Sequence, residues 1–128
     1  MLDSVSQSHF ITNRCVQRLR LPRTQTNTQI ESISSINFES YHSVSIYLTS
    51  GHTDLHTTLN CVILSHITGT TPSTNLDTST WKFPEDNMLA DEQFDQTGSI
   101  DLVIGADLSY EMLRLVRGHV LAIIWFYK

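Results

Sequence analysis

The sequence predicts a mostly β domain with two short helices, and three observations carry that expectation. Two segments of alternating apolar residues, 41–49 and 55–64, flank a Ser50-Gly51 turn. About a quarter of the chain is Ser or Thr, and many of the Thr residues fall in candidate strands, where a β-branched side chain suits pleated backbone. Helical spacing is confined to two stretches, residues 12–21 and 108–115.

The first helix is read from Ile11, Cys15 and Leu19, which recur at helical spacing with Val16 beside them. Thr12 is the candidate N-cap, and Pro22 is expected to enforce the stop. Residues 28–33 form the next expected strand. In residues 41–49, Val44, Ile46 and Leu48 share one face. In residues 55–64, Leu55, Leu59, Cys61 and Ile63 do the same. These two strands form an expected antiparallel hairpin, whose register periodicity leaves open. From residue 68 to 98 the pattern breaks around Pro72, Trp81 and Pro84, an unusual length for a loop in a small domain. Residues 100–104 read as a short apolar strand ending at Gly105. Leu108, Met112 and Leu115 share one side of the second helix, and the tail, 119–127, reads as a last buried strand.

A chain of 128 residues suits one domain with a real core. Its net charge is −5, and its one basic cluster, Arg14, Arg18, Arg20 and Arg23, reads as a solvated helix face. A nucleic-acid footprint would need more basic residues with aromatics between them, so no direct nucleic-acid binding is expected. Glu85, Asp86, Asp91, Glu92 and Asp95 read as a solvated acidic loop. Two cysteines, Cys15 and Cys61, give no disulfide framework. The first residues lack an apolar signal region, and the apolar run 120–127 is too short to span a bilayer. An intracellular, cytoplasmic setting with no membrane partner is expected.

Two segments carry the candidate chemistry: Leu2-Asp3-Ser4-Val5-Ser6-Gln7, and Ile100-Asp101-Leu102-Val103-Ile104-Gly105-Ala106-Asp107. The run from Met1 to Ile11 resembles the L-L-D-S-G-S-Q-S-S-F-I opening of the retropepsin-like aspartic peptidase domain of BEL/Pao retrotransposon polyproteins. Leu21-Pro22 resembles the end of that family's first helix. Ile67-Thr68, Pro72, Leu76-Asp77, Trp81, Leu89-Ala90-Asp91, Phe94 and Gly98 resemble family positions in the long loop, and residues 100–107 resemble its I-D-L-L-I-G-A-D. The resemblance covers residues 2–113, roughly the expected domain, 1–115. Residues 116–128 show none and form an unassigned apolar tail.

The resemblance implies a small β-barrel, closed or partly open, and endoproteolysis of a polypeptide substrate. In that chemistry two carboxylates share one proton. One accepts a proton from the attacking water, and the other donates to the carbonyl oxygen. Two such groups at close range cannot both ionise. Retropepsins assemble the pair from a homodimer, one Asp per subunit, without cofactor or metal. The resemblance places Asp3 as the dyad aspartate, Ser4 as the triplet hydroxyl and Val5 at the triplet glycine. Val103, Ile104 and Gly105 form the apolar backing of that turn. Read from the residues alone, Asp3 and Ser4 also fit an ordinary turn, and Asp101 and Asp107 fit helix-capping or surface roles.

Three departures imply a degenerate, inactive copy. Val5 replaces a glycine whose missing Cβ lets backbone approach carboxylate and substrate. Ser32, Ser34 and Ser35 stand where the family tends to carry flap glycines. Asp3 lies so near the first residue that the domain is expected to be truncated at its N-terminus. Two rival readings stay open: a non-catalytic β domain that binds peptide in the same cleft, and a relic without function. His52, His56, Cys61 and His66 match no common closed zinc spacing, and His56 and Cys61 fall on opposite faces of a strand. No G-x-S-x-G signature supports a serine hydrolase.

Overall fold

The computed structural model describes residues 1–31, 37–50, 54, 56–82, 91, 93–115 and 124–125. Its elements run β1 (His9–Thr12), α1 (Asn13–Arg18), β2 (Thr24–Glu31), β3 (Asn37–Ser50), β4 (His56–Leu64), β5 (Thr70–Thr71), β6 (Gly98–Ser99), β7 (Leu102–Val103), α2 (Ala106–Leu115) and β8 (Ile124–Trp125). The mostly β expectation holds. The expected flap serines, Ser32, Ser34 and Ser35, lie outside the described residues, as do Gly51, Leu55 and most of the tail.

The main sheet runs in the order β2-β3-β4-β1-β7, with β8 pairing separately with β3. β3 and β4 form the expected antiparallel hairpin. The structure supplies the register that periodicity left open: Val44 faces Cys61 and Ile46 faces Leu59. β1 then lies parallel to β4, with His9 opposite Cys61 and Ile11 opposite Ile63, and antiparallel to β7, with Ile11 opposite Leu102.

Of the two forms expected, closed or partly open, the closed barrel does not form: among the described residues the sheet stays open. Closure requires the two edge strands to meet. Here β2 borders only β3, while β7 is two residues long and is flanked beyond β1 by the parallel bridge of Leu2 with Ile104.

One face of the sheet carries the core. Val44, Ile46 and Leu48 of β3, Leu59, Cys61 and Ile63 of β4, and Ile11 of β1 meet Cys15 and Val16 of α1 and Leu108 and Met112 of α2 in a single cluster. Leu19 and Leu21 pack against it. Strand alternation explains the selection, because residues two apart share a face. Phe10 therefore points away from Ile11. It is half-buried, and its register neighbours are Val62 and Val103, both buried.

The first helix is shorter than expected. Thr12 caps it, its Oγ1 accepting from the Cys15 amide at 3.2 Å. The stop is made before Pro22. Arg20 adopts φ 52°, the Arg20 amide donates to Gln17 and the Leu21 amide donates to Val16. That pattern is a Schellman closure, with arginine in the left-handed position where glycine is usual. The long loop is partly organised. β5 pairs with β6, the Leu76 amide donates to Asp95, the Thr97 amide donates to the Asn75 side chain, and the rings of Trp81 and Phe94 lie 5.9 Å apart.

Candidate functional site

The two chemistry-bearing segments lie side by side. The Ile104 amide donates to the Met1 carbonyl at 2.9 Å, and the Asp3 amide donates to the Ile104 carbonyl at 2.9 Å. The Ala106 amide donates to the Ser6 carbonyl at 2.8 Å. Residues 1–6 thus run along the outer side of β7 and close over the start of α2.

Gly105 sits where this contact is tightest. A Cβ there would lie 2.8 Å from the Ser8 carbonyl oxygen and 2.9 Å from that of Ser6. Both neighbours are backbone, so neither can swing aside. The glycine is needed for close approach and not for an unusual φ, since no described glycine has a positive one. Val103 and Ile104, which precede it, are both buried.

Within the turn, Oδ1 of Asp3 accepts from the Val5 amide at 2.9 Å. Asp3 is half-buried, and Ser4 is exposed. Val5 is 72% exposed, and its φ is not positive. The valine therefore fits this turn without backbone strain, and its side chain projects outward.

Asp101 and Asp107, read from the sequence as capping or surface residues, hold the frame around the turn. Asp101 accepts from Thr12 Oγ1 and, at 2.8 Å, from Arg14, which also donates to Ser99. Burial alone would raise the Asp101 carboxyl. The hydrogen bonds from Thr12 and Arg14, with the charges of Arg14 and Arg18, outweigh burial and hold it below the ordinary carboxylate range. Asp107 lies in the first turn of α2, where a negative charge suits the helix N-terminus, and accepts from the Leu108 amide at 2.8 Å.

The sequence reading missed Ser6 and His9. Ser6 Oγ donates to the Ser8 carbonyl at 2.7 Å and so shapes the segment behind the turn. His9 is buried, and its Nδ1 accepts from the Gly105 amide at 2.9 Å. A signal for it was present: once Ile11 is assigned to the core face, residue 9 shares that face. Among the other titratable groups, Cys61 is fully buried and its thiol is pushed up to about 12, first by burial and then by Cys15. His56 is exposed on the opposite face of β4. No three His, Cys, Asp or Glu residues group as metal ligands among the described residues. No helix among them is long and apolar enough to cross a membrane.

No family model, no curated protein and no solved structure matches this chain.

Proposed function

We propose that the chain is an aspartic-endopeptidase-type domain of a retrotransposon polyprotein, in a degenerate copy, acting or once acting as an intracellular, cytoplasmic homodimer on a polypeptide substrate. The observation that carries this reading is the seating of the Asp3 turn on Ile104 and Gly105, about a hundred residues away in sequence. A water-activating carboxylate needs a rigid, water-poor backing, and buried Val103 and Ile104 with a close-fitting glycine supply one. The half-buried Asp3 remains open on one side, where a second subunit would bring the other carboxylate of the pair.

Incubation with peptides spanning the junctions of a retrotransposon polyprotein, between about pH 4 and 7, tests the activity. No cleavage is expected from this copy. Cleavage that disappears in Asp3→Asn would show that the copy is an active peptidase and not a degenerate one. Sedimentation at tens of micromolar tests the assembly, and a strict monomer there would count against the homodimer. A non-catalytic peptide-binding domain is the second reading, favoured by the exposed Val5 side chain, which replaces the triplet glycine without disturbing the turn. Saturable peptide binding without cleavage, unaffected by a transition-state analogue of aspartic peptidases, would select it.

A further inference from the structure

We propose that His9 is an acid-sensitive latch that holds the Gly105 segment, and through it the Asp3 turn, in place. This goes beyond the peptidase reading and does not rest on it.

The geometry defines the neutral state. His9 Nδ1 accepts from the Gly105 amide at 2.9 Å in a buried setting. A neutral imidazole that accepts at Nδ1 carries its proton on Nε2. Nε2 lies 3.5 Å from Oδ1 of Asp107. The ring therefore bridges β1 to two consecutive pieces of chain, the Gly105 backbone and the first turn of α2.

Protonation changes that bridge in one direction. An imidazolium donates from both nitrogens and accepts at neither. Its new N–H at Nδ1 would point at the Gly105 N–H, two donors facing each other. The Asp107 carboxylate, meanwhile, attracts the charged ring more strongly than the neutral one. Acid thus trades the hold on Gly105 for a stronger tether to α2. The bond that is lost matters to the turn, because Gly105 follows Ile104, whose carbonyl receives the Asp3 amide.

The surrounding charges leave this trade to His9 and Asp107. From α2, Asp107 is within ion-pair distance. From β4, the register partner is Cys61, whose thiol is pushed up to about 12 and stays neutral through the acid range. From α1, Arg14 is engaged by Asp101, Arg18 is exposed, and the Cys15 thiol is raised by burial. The strand β7 carries no titratable side chain, and Asp101 before it is held by Thr12 and Arg14. In the N-terminal segment the Met1 amine donates to the Leu102 carbonyl, and Asp3 accepts from Val5.

Amide hydrogen exchange on the full chain, followed by NMR from pH 8 to 5, tests the latch. The protection factor of the Gly105 amide should fall by about tenfold, the size of one buried hydrogen bond, with the midpoint of the His9 ring resonances. The Asp3 amide should follow it. His9→Asn keeps an acceptor near the Nδ1 position and cannot take up the proton, so its Gly105 protection should not change with pH. Unchanged Gly105 protection while His9 titrates would overturn the proposal, as would the same acid loss in His9→Asn. If His9→Asn does not fold, the parent alone decides, and His9 ring resonances that do not titrate across that pH range overturn the proposal as well.

Discussion

The amide of Asp3 donates to the carbonyl of Ile104 at 2.9 Å, tying the candidate carboxylate to a strand about a hundred residues later in the chain. The tie is backbone to backbone, so many side chains would be compatible with it. Gly105 is the exception, because both atoms crowding its absent Cβ are carbonyl oxygens of the segment that carries the turn.

Gly105→Ala should therefore destabilise the domain by about 1–3 kcal/mol, the usual cost of overpacking a site that cannot yield. The Asp3 and Ala106 amides should exchange faster in the variant. Urea denaturation that shows a loss of under about 0.5 kcal/mol, within the range of surface substitutions, would mean the segments part easily and the backing is not rigid.

Ile11 and Phe10 provide a second contrast. Ile11 is fully buried in the core cluster, and Phe10 is half-buried on the other face of β1. Ile11→Ala should cost about 2–5 kcal/mol, as for a large-to-small change in a packed core. Phe10→Ala should cost less despite the larger side chain removed. The reverse order in thermal or chemical unfolding would show that the face bearing Val62 and Val103 is the main core.

These residues also show what was legible in the sequence. Alternation in β3 and β4 is strong, since each has three apolar residues two apart, and both the hairpin and its buried face follow from it. β1 has four residues, too few for a period to speak, and Phe10 is a more conspicuous apolar residue than Ile11. The order of strands around β1 depends on pairings between residues far apart in sequence, which no local pattern encodes. Whether the sheet closes was left open for the same reason, because closure depends on edges meeting in space. The adjacency of Asp3 to Gly105 was reached through resemblance as well. The role of His9 needed the strand faces first, and only then the loop that comes back to meet them.

The end of α1 gives a prediction of the opposite sign. Arg20 is exposed and holds φ 52°, a conformation that L-residues other than glycine, asparagine and aspartate rarely adopt. Arg20→Gly should stabilise the domain by roughly 0.5–1 kcal/mol, the relief of strain being partly offset by a freer unfolded chain. A lowered melting temperature would indicate that the arginine side chain makes a contribution larger than its strain.

Asp101 sets an acid limit. Its carboxyl is held below the ordinary range in the folded chain, so its contribution to stability is present above the unfolded value, about 3.9, and is lost as pH falls through the lower folded value. Asp101→Asn should be less stable than the parent at neutral pH, and the gap should close below about pH 4. Added salt should narrow the gap at neutral pH, because the Arg14 partner is exposed. A gap that stays constant down to about pH 2, below the ordinary carboxylate range, would exclude a charge-dependent role for this carboxylate.

Val5 is the position at which fold and activity separate most cleanly. Its side chain is 72% exposed and its φ is ordinary, so the structure gives no reason for Val5→Gly to disturb packing. The change should cost at most about 1 kcal/mol, from the added freedom of glycine in the unfolded chain. The amide that donates to Asp3 Oδ1 is retained. What the peptidase reading would change is the space beside the carboxylate, which it assigns to a substrate backbone or a partner's turn. Under the peptidase reading Val5→Gly should raise peptide binding or dimer formation, with cleavage appearing only if the remaining parts of the site are in place. Asp3→Asn in the same background should abolish any cleavage gained while leaving the fold unchanged, because an asparagine oxygen still accepts from the Val5 amide. Titration of a polyprotein-derived peptide against the parent and both variants, with sedimentation alongside, separates these outcomes. Equal peptide affinity and equal association in the parent and Val5→Gly would mean that the valine obstructs nothing, and the proposal that it disables a peptidase site would fail.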